Sequence, residues 1–201
     1  MKPISVGILL FDDADTLDFV GPLETFALVQ VQQDEHNFGP AFRTFTFSLQ
    51  GTSIKTAQGV TIIPDYSESQ IPPCDILIVP GGPAARRATD QDDFVKWLRH
   101  TGANIPTVAA VCTGAFLLAH AGLLHNKKAT THWLSIDQFR AQFPDTEIIE
   151  HVKFVDEGNL ITSGGISSGI NMALHIIEQR FGKEVATRTA RILDLDLSCE
   201  W

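Results

Sequence analysis

The residues best suited to chemistry in this sequence centre on a cysteine. In Ala109-Ala110-Val111-Cys112-Thr113-Gly114-Ala115-Phe116 an apolar, strand-like run leads straight into Cys112 and then into an apolar helical stretch. A nucleophile elbow has this form and holds its reactive atom exposed above a sheet. A cysteine there feels the positive end of the following helix, which favours the thiolate, the form that attacks. The Thr113 N–H would point toward charge developing on a substrate. The alternative is a buried structural cysteine, a common fate for this residue.

Four further motifs bear on Cys112. Pro80-Gly81-Gly82-Pro83 follows a buried strand. Its glycines let the backbone approach a ligand, and the Gly82 N–H is a second candidate oxyanion donor; the alternative is a plain turn. In Asp15-Thr16-Leu17-Asp18-Phe19-Val20-Gly21-Pro22 the Asp18 carboxyl, flanked by Leu17 and Phe19, is a candidate acid or base with a raised pKa. It is equally a candidate helix N-cap, and Glu24 is the back-up carboxyl. His132, in Ala129-Thr130-Thr131-His132-Trp133, is either a general base for the thiol or a cap before a helix at Leu134. Gly165, in Ser163-Gly164-Gly165-Ile166-Ser167-Ser168-Gly169, either lines the pocket or lets a helix pack closely on a strand. Cys74 and Cys199 read as inert, and His120, His125, His151 and His175 show no paired metal-ligand spacing.

These residues need a scaffold, and the chain supplies an alternation of short apolar strands and amphipathic helices. Strands are expected at 6–11, 42–49, 75–79, 107–111, 148–155 and 160–162, with a hairpin or edge excursion over 52–63. Helices are expected at 17–29, 90–100 (capped by Thr89 or Asp90), 113–121, 170–181 (closed by Gly182) and about 183–193. That order implies an α/β fold: a flavodoxin-like three-layer sandwich, with a mainly parallel sheet and helices on both faces. Ligands in such sheets sit outside the carboxyl ends of the strands. The rule singles out the residues after Phe11, Val79, Val111 and Thr162.

Length and charge narrow the function. The 201 residues suit one domain, 1–201, and no linker or repeat divides them. A net charge of −9 argues against nucleic acid and against an anionic membrane surface as partners. No apolar run reaches the length of a membrane helix, and the N-terminus reads as a strand rather than a signal peptide. Three widely spaced cysteines suggest neither a disulfide framework nor a zinc site. A reducing cytoplasm is the expected location.

Taken in order, Ile8-Leu9-Leu10-Phe11, Leu17-Asp18-Phe19-Val20-Gly21-Pro22, Val79-Pro80-Gly81-Gly82, Val111-Cys112-Thr113-Gly114, Ala129-Thr130-Thr131-His132-Trp133 and Thr162-Ser163-Gly164-Gly165-Ile166 resemble the ThiJ/PfpI superfamily, related to class I glutamine amidotransferases. The resemblance is greatest to isonitrile hydratases and to the ligand-binding half of certain AraC-type regulators. It implies a hydratase that converts an isonitrile and water to an N-substituted formamide with no metal or organic cofactor. It further implies Cys112 as nucleophile, Asp18 as the carboxyl beside it, Thr113 as the third catalytic position, and a homodimer. In the implied mechanism Cys112 forms a thioimidate, Asp18 supplies a proton and then activates water, and the Gly82 and Thr113 N–H groups stabilise charge. Two other readings stand beside it: a small-molecule or redox sensor, and another cysteine enzyme on this scaffold, whether amidase, glyoxalase-type hydratase or peptidase.

Overall fold

Residues 2–34 and 37–195 are described in a computed structural model of the chain. Seven strands form the main sheet, in the order Phe154–Asp156, Leu160–Ser163, Thr107–Val111, Ile76–Val79, Ile4–Leu9, Phe42–Ser48 and Tyr66–Ser67. Every neighbouring pair is parallel except the edge strand Phe154–Asp156, which runs antiparallel to Leu160–Ser163. The five inner strands follow the flavodoxin order, with the topological switch between Ile4–Leu9 and Ile76–Val79.

The helices are α1 (Thr16–Ala27), α2 (Pro83–Arg87), α3 (Asp93–His100), α4 (Gly114–His120), α5 (Ile136–Gln142), α6 (Ser168–Phe181) and α7 (Lys183–Ile192). They form two outer layers because strand side chains alternate across the sheet. Ala109 and Val111 join Phe26 of α1, Met172 and Ile177 of α6 and Ala186 of α7 in one apolar layer. Val108 and Ala110 join Leu98 of α3, Phe116 of α4 and Phe139 of α5 in the other. Ile76–Val79 and Thr107–Val111 are buried at every position, which is why they read as unbroken apolar runs rather than alternating ones.

Some expected elements differ in detail. The helix expected from Asp90 starts at Asp93, with Asp92 in an extended conformation as its N-cap; Thr89 instead donates its N–H and hydroxyl to the Asp92 carboxylate. The strand expected over 148–155 is two pieces. Glu147–Ile148 pairs with Lys128–Ala129 in a separate ladder, and the chain turns at His151, at φ 61°, before re-entering the main sheet as Phe154–Asp156. The 52–63 segment is a hairpin, Ile54–Lys55 against Thr61–Ile62. A second small hairpin, Gln30–Gln32 against Phe38–Pro40, and the short α2 went unread because neither shows a sustained period.

Candidate functional site

Four chain segments leave the carboxyl end of the sheet and converge on Cys112. The cysteine follows Val111 directly, at φ 57°, and α4 begins two residues later at Gly114. A non-glycine residue rarely adopts this conformation, and here it is held from several sides. The Cys112 N–H donates to the carbonyls of Ser163 and Gly164, each at 3.1 Å. The Thr131 hydroxyl donates to the Cys112 carbonyl at 2.9 Å. The Thr-Thr-His-Trp motif therefore fixes the elbow through Thr131, a role its sequence alone did not disclose.

Thr113 ties the elbow to the glycine turn. Its hydroxyl accepts the Gly82 N–H at 2.8 Å and donates to the Gly82 carbonyl at 3.1 Å. The expected use of the Gly82 N–H as an oxyanion donor is thus corrected, since that donor is engaged by Thr113. Gly82 sits at φ 130°, and a Cβ there would run into the Asp13 carbonyl and lie 2.7 Å from the Asp15 nitrogen. A Cβ on Gly81 would lie 2.6 Å from the Thr113 nitrogen and 2.8 Å from Asp18 Oδ2. Both glycines are needed because three segments meet with no room between them.

Asp18 lies in the first turn of α1, with Asp15 as the N-cap residue, so Asp18 is not a cap. Its carboxyl is fully buried, accepts the Gly81 N–H at 3.0 Å through Oδ2, and leaves Oδ1 without a conventional hydrogen-bond partner. Burial, reinforced by the negative charge of Asp15, raises its pKa to about 7, while the Gly81 N–H and the Cys112 thiol oppose the rise. The helix start is capped from the 54–62 hairpin, where Gln58 Oε1 accepts the Thr16 N–H at 2.8 Å and the Thr16 hydroxyl at 2.9 Å. Glu24, the expected back-up carboxyl, takes no part; the second carboxyl at the thiol is Asp15. Ligand atoms of Asp15, Asp18 and Cys112 all lie within 4.8 Å of one another, the set among the described residues that could hold a metal ion.

The expectation of a thiolate favoured by the helix is overturned. Burial, then the Asp18 carboxylate, push the Cys112 thiol up to about 12. The N–H groups of Ile166 and Thr113 face the sulfur and favour its charged form, but they do not prevail. Ile166 stands at φ 42°, the backbone twist that accompanies this placement of its N–H. Cys74, its thiol pushed up to about 11 by burial, donates to the Ile76 carbonyl away from the site. Cys199 lies outside the described residues.

A pocket of about 180 Å³ opens over the sulfur, lined by Asp15, Gly82, Arg86, Cys112, Thr113, His132 and Ile166 among others. A second cavity, of about 570 Å³, adjoins it through the shared residues His132 and Ile166. His132 combines both readings made of it. It caps the turn Trp133–Ser135, its Nδ1 accepting the Leu134 N–H at 3.3 Å, and it also lines the pocket. Partial burial lowers its pKa, and among the described residues no hydrogen bond joins it to the thiol. Gly165 makes room for it: a Cβ there would collide with His132 Cδ2.

The family model described as "DJ-1/PfpI family" matches residues 4–179. An isonitrile hydratase from Pseudomonas putida is 29% identical over 195 residues, covering 96% of this chain and 78% of that protein. The HTH-type transcriptional regulator GbdR from Pseudomonas aeruginosa is 27% identical over 185 residues; the match covers 92% of this chain but only 49% of the regulator. Among solved structures, a ThiJ/PfpI family protein from Pseudomonas syringae superposes with a TM-score of 0.83 at 22% identity, over 100% of this chain and 78% of that one. No helix of the described residues is long and apolar enough to cross a membrane.

Proposed function

The chain belongs to the DJ-1/PfpI family, and from that premise we propose that it is a cysteine-dependent hydratase that adds water to small isonitriles to give N-substituted formamides. The observation that carries the reading is the pairing of a strained, buried thiol with a fully buried carboxyl whose Oδ1 has no conventional partner beside it. The similarity to an isonitrile hydratase supports it.

An isonitrile accepts a proton and a nucleophile on the same carbon. Asp18, at a pKa of about 7, can carry a proton near neutrality. It protonates the isonitrile carbon as Cys112 Sγ bonds to that carbon. The thiol proton passes to Asp18, and the product is a thioimidate, R–N=CH–S–Cys112. The Ile166 and Thr113 N–H groups steady charge on sulfur as the C–S bond forms and breaks. The small pocket takes the reacting carbon, and the adjoining cavity has room for the nitrogen substituent. Hydrolysis of the thioimidate releases the formamide. The chemistry requires no metal or organic cofactor, and a homodimer is the assembly we expect, to be checked by light scattering.

The test is formamide production from cyclohexyl isocyanide by wild type and Cys112→Ala. Turnover by wild type alone supports the reading; turnover surviving in Cys112→Ala removes the cysteine from it. The match to regulators favours a second reading, a small-molecule-binding module. It predicts saturable binding of a ligand with no product formed. The lack of a histidine bond to the thiol among the described residues weighs against a peptidase.

A further inference from the structure

We propose that Asp15 is the base that activates water for breakdown of the Cys112 adduct, a task separate from that of Asp18. Asp18 is fully buried and its Oδ2 is held by the Gly81 N–H, so it reaches the atoms at the sulfur but does not line the pocket that water enters. Asp15 is half-buried and lines the pocket directly. Its carboxylate lies within 4.8 Å of both the sulfur and the Asp18 carboxyl, and so stands beside any carbon bonded to that sulfur.

The carboxylate of Asp15 is positioned rather than loose. Its backbone N–H donates to the Gly81 carbonyl at 3.0 Å. Gln58 Nε2 donates to Oδ1 at 2.8 Å, which leaves accepting capacity on Oδ2. The same Gln58 caps α1 through Thr16, and Ala57 N–H donates to the Ala14 carbonyl at 3.0 Å. The hairpin thus works as a bracket for Asp15. His132 is the rival base in the pocket, yet its Nδ1 accepts the Leu134 N–H and its Nε2 edge packs on Gly165.

In this step water adds its oxygen to the thioimidate carbon, and Asp15 takes one water proton and passes it to the imidate nitrogen. The tetrahedral adduct R–NH–CH(OH)–S–Cys112 collapses as the C–S bond breaks. Asp15 takes the hydroxyl proton as the formamide carbonyl forms and returns it to the departing sulfur, which leaves as the thiol. Asp18 keeps the proton that initiates the next cycle. The isonitrile form of this step rests on the proposed function, but activation of water against an adduct on Cys112 does not.

The test therefore uses para-nitrophenyl acetate at pH 8.5, which acetylates Cys112 with release of para-nitrophenolate; water then cleaves the thioester to acetate and thiol. Loss of a positioned general base costs about 10²–10⁴-fold. In Asp15→Asn the initial burst should persist, the later steady rate should fall by that factor, and intact-mass spectrometry should show the acetyl adduct on Cys112 accumulating. Asp15→Asn retains an oxygen for Gln58; if it does not fold, Asp15→Ser is read in the same way. A deacylation rate equal to wild type in the folded variant overturns the proposal, as does failure of wild type to form any adduct at Cys112. Asp15-dependent deacylation without isonitrile turnover by wild type upholds Asp15 and overturns the hydratase reading instead.

Discussion

Replacing Asp18 by asparagine should make Cys112 more reactive toward alkylation while abolishing its usefulness in turnover. Asp18 and Cys112 present ligand atoms within 4.8 Å of each other. At an effective dielectric of about 20, two unit charges at that distance repel by about 3.5 kcal/mol. Asparagine removes this repulsion. At about 1.36 kcal/mol per pH unit, thiol ionisation should fall from about 12 to roughly 9.5. At pH 8.5 the thiolate fraction, and with it the rate of iodoacetamide alkylation, should rise about 300-fold. The gain has a direction in pH. Asp18 is protonated below about pH 7 in the wild type, so the repulsion is already absent there and the two proteins should alkylate at similar rates. Mass-resolved alkylation at Cys112 from pH 5.5 to 9.5 reads the effect, and Cys74, held near 11, marks the background. A variant that alkylates no faster than wild type at pH 8.5 would refute the electrostatic coupling.

The same carboxyl makes stability depend on pH. Because folding raises its pKa from 3.8 to about 7, its ionisation opposes the folded state; the stability present below pH 4 is lost as pH rises toward 7, on the order of 4 kcal/mol. Asp18→Asn should flatten this slope in urea melts at pH 4.5 and pH 8, and an unchanged slope would assign the pH dependence to other groups. Thr113→Val keeps the shape but strands the Gly82 N–H and carbonyl; unfolding free energy should drop by about 1–3 kcal/mol, with the chemical shift of the Gly82 amide moving in NMR. Gly82→Ala forces a side chain into the Asp13 carbonyl at φ 130°, so a loss of at least about 3 kcal/mol is expected in chemical denaturation. A well-folded, fully active Gly82→Ala would show that the turn can relax.

Much of this arrangement was legible in the sequence because strand ends carry local signals. The buried runs 76–79 and 107–111 are apolar at every position, and each stops at a residue with obvious chemistry or turn character. Cys112, Asp18 and the glycine turn could be placed at one end of the sheet from that alone. What stayed hidden depends on contacts between distant residues. Asp15 looked like one acidic residue among Asp12, Asp13 and Asp15 until Gln58, 42 residues from the helix start, was seen to fix it. Ile166 carries no polar side chain, and its contribution is a backbone N–H set by an unusual φ. The protonation of Cys112 is hidden from sequence for a related reason. Helix polarity is visible in sequence, whereas burial of the sulfur and the approach of Asp18 are not, and these two outweigh it.

The elbow's anchors also set a timetable for the chain as it is made. Cys112 is held through its own N–H by Ser163 and Gly164, through its carbonyl by Thr131, and through its sulfur by the N–H of Ile166. All four lie downstream, and the strand that brings three of them pairs with Thr107–Val111 only after residue 160 has emerged. A nascent chain that stops short of this point carries the cysteine, the acid and the glycine turn, yet lacks the clamp that strains the nucleophile. Premature release from the ribosome would therefore yield a thiol with the ordinary reactivity of an unfolded chain, so the chemistry is withheld until residues 160–166 have been made.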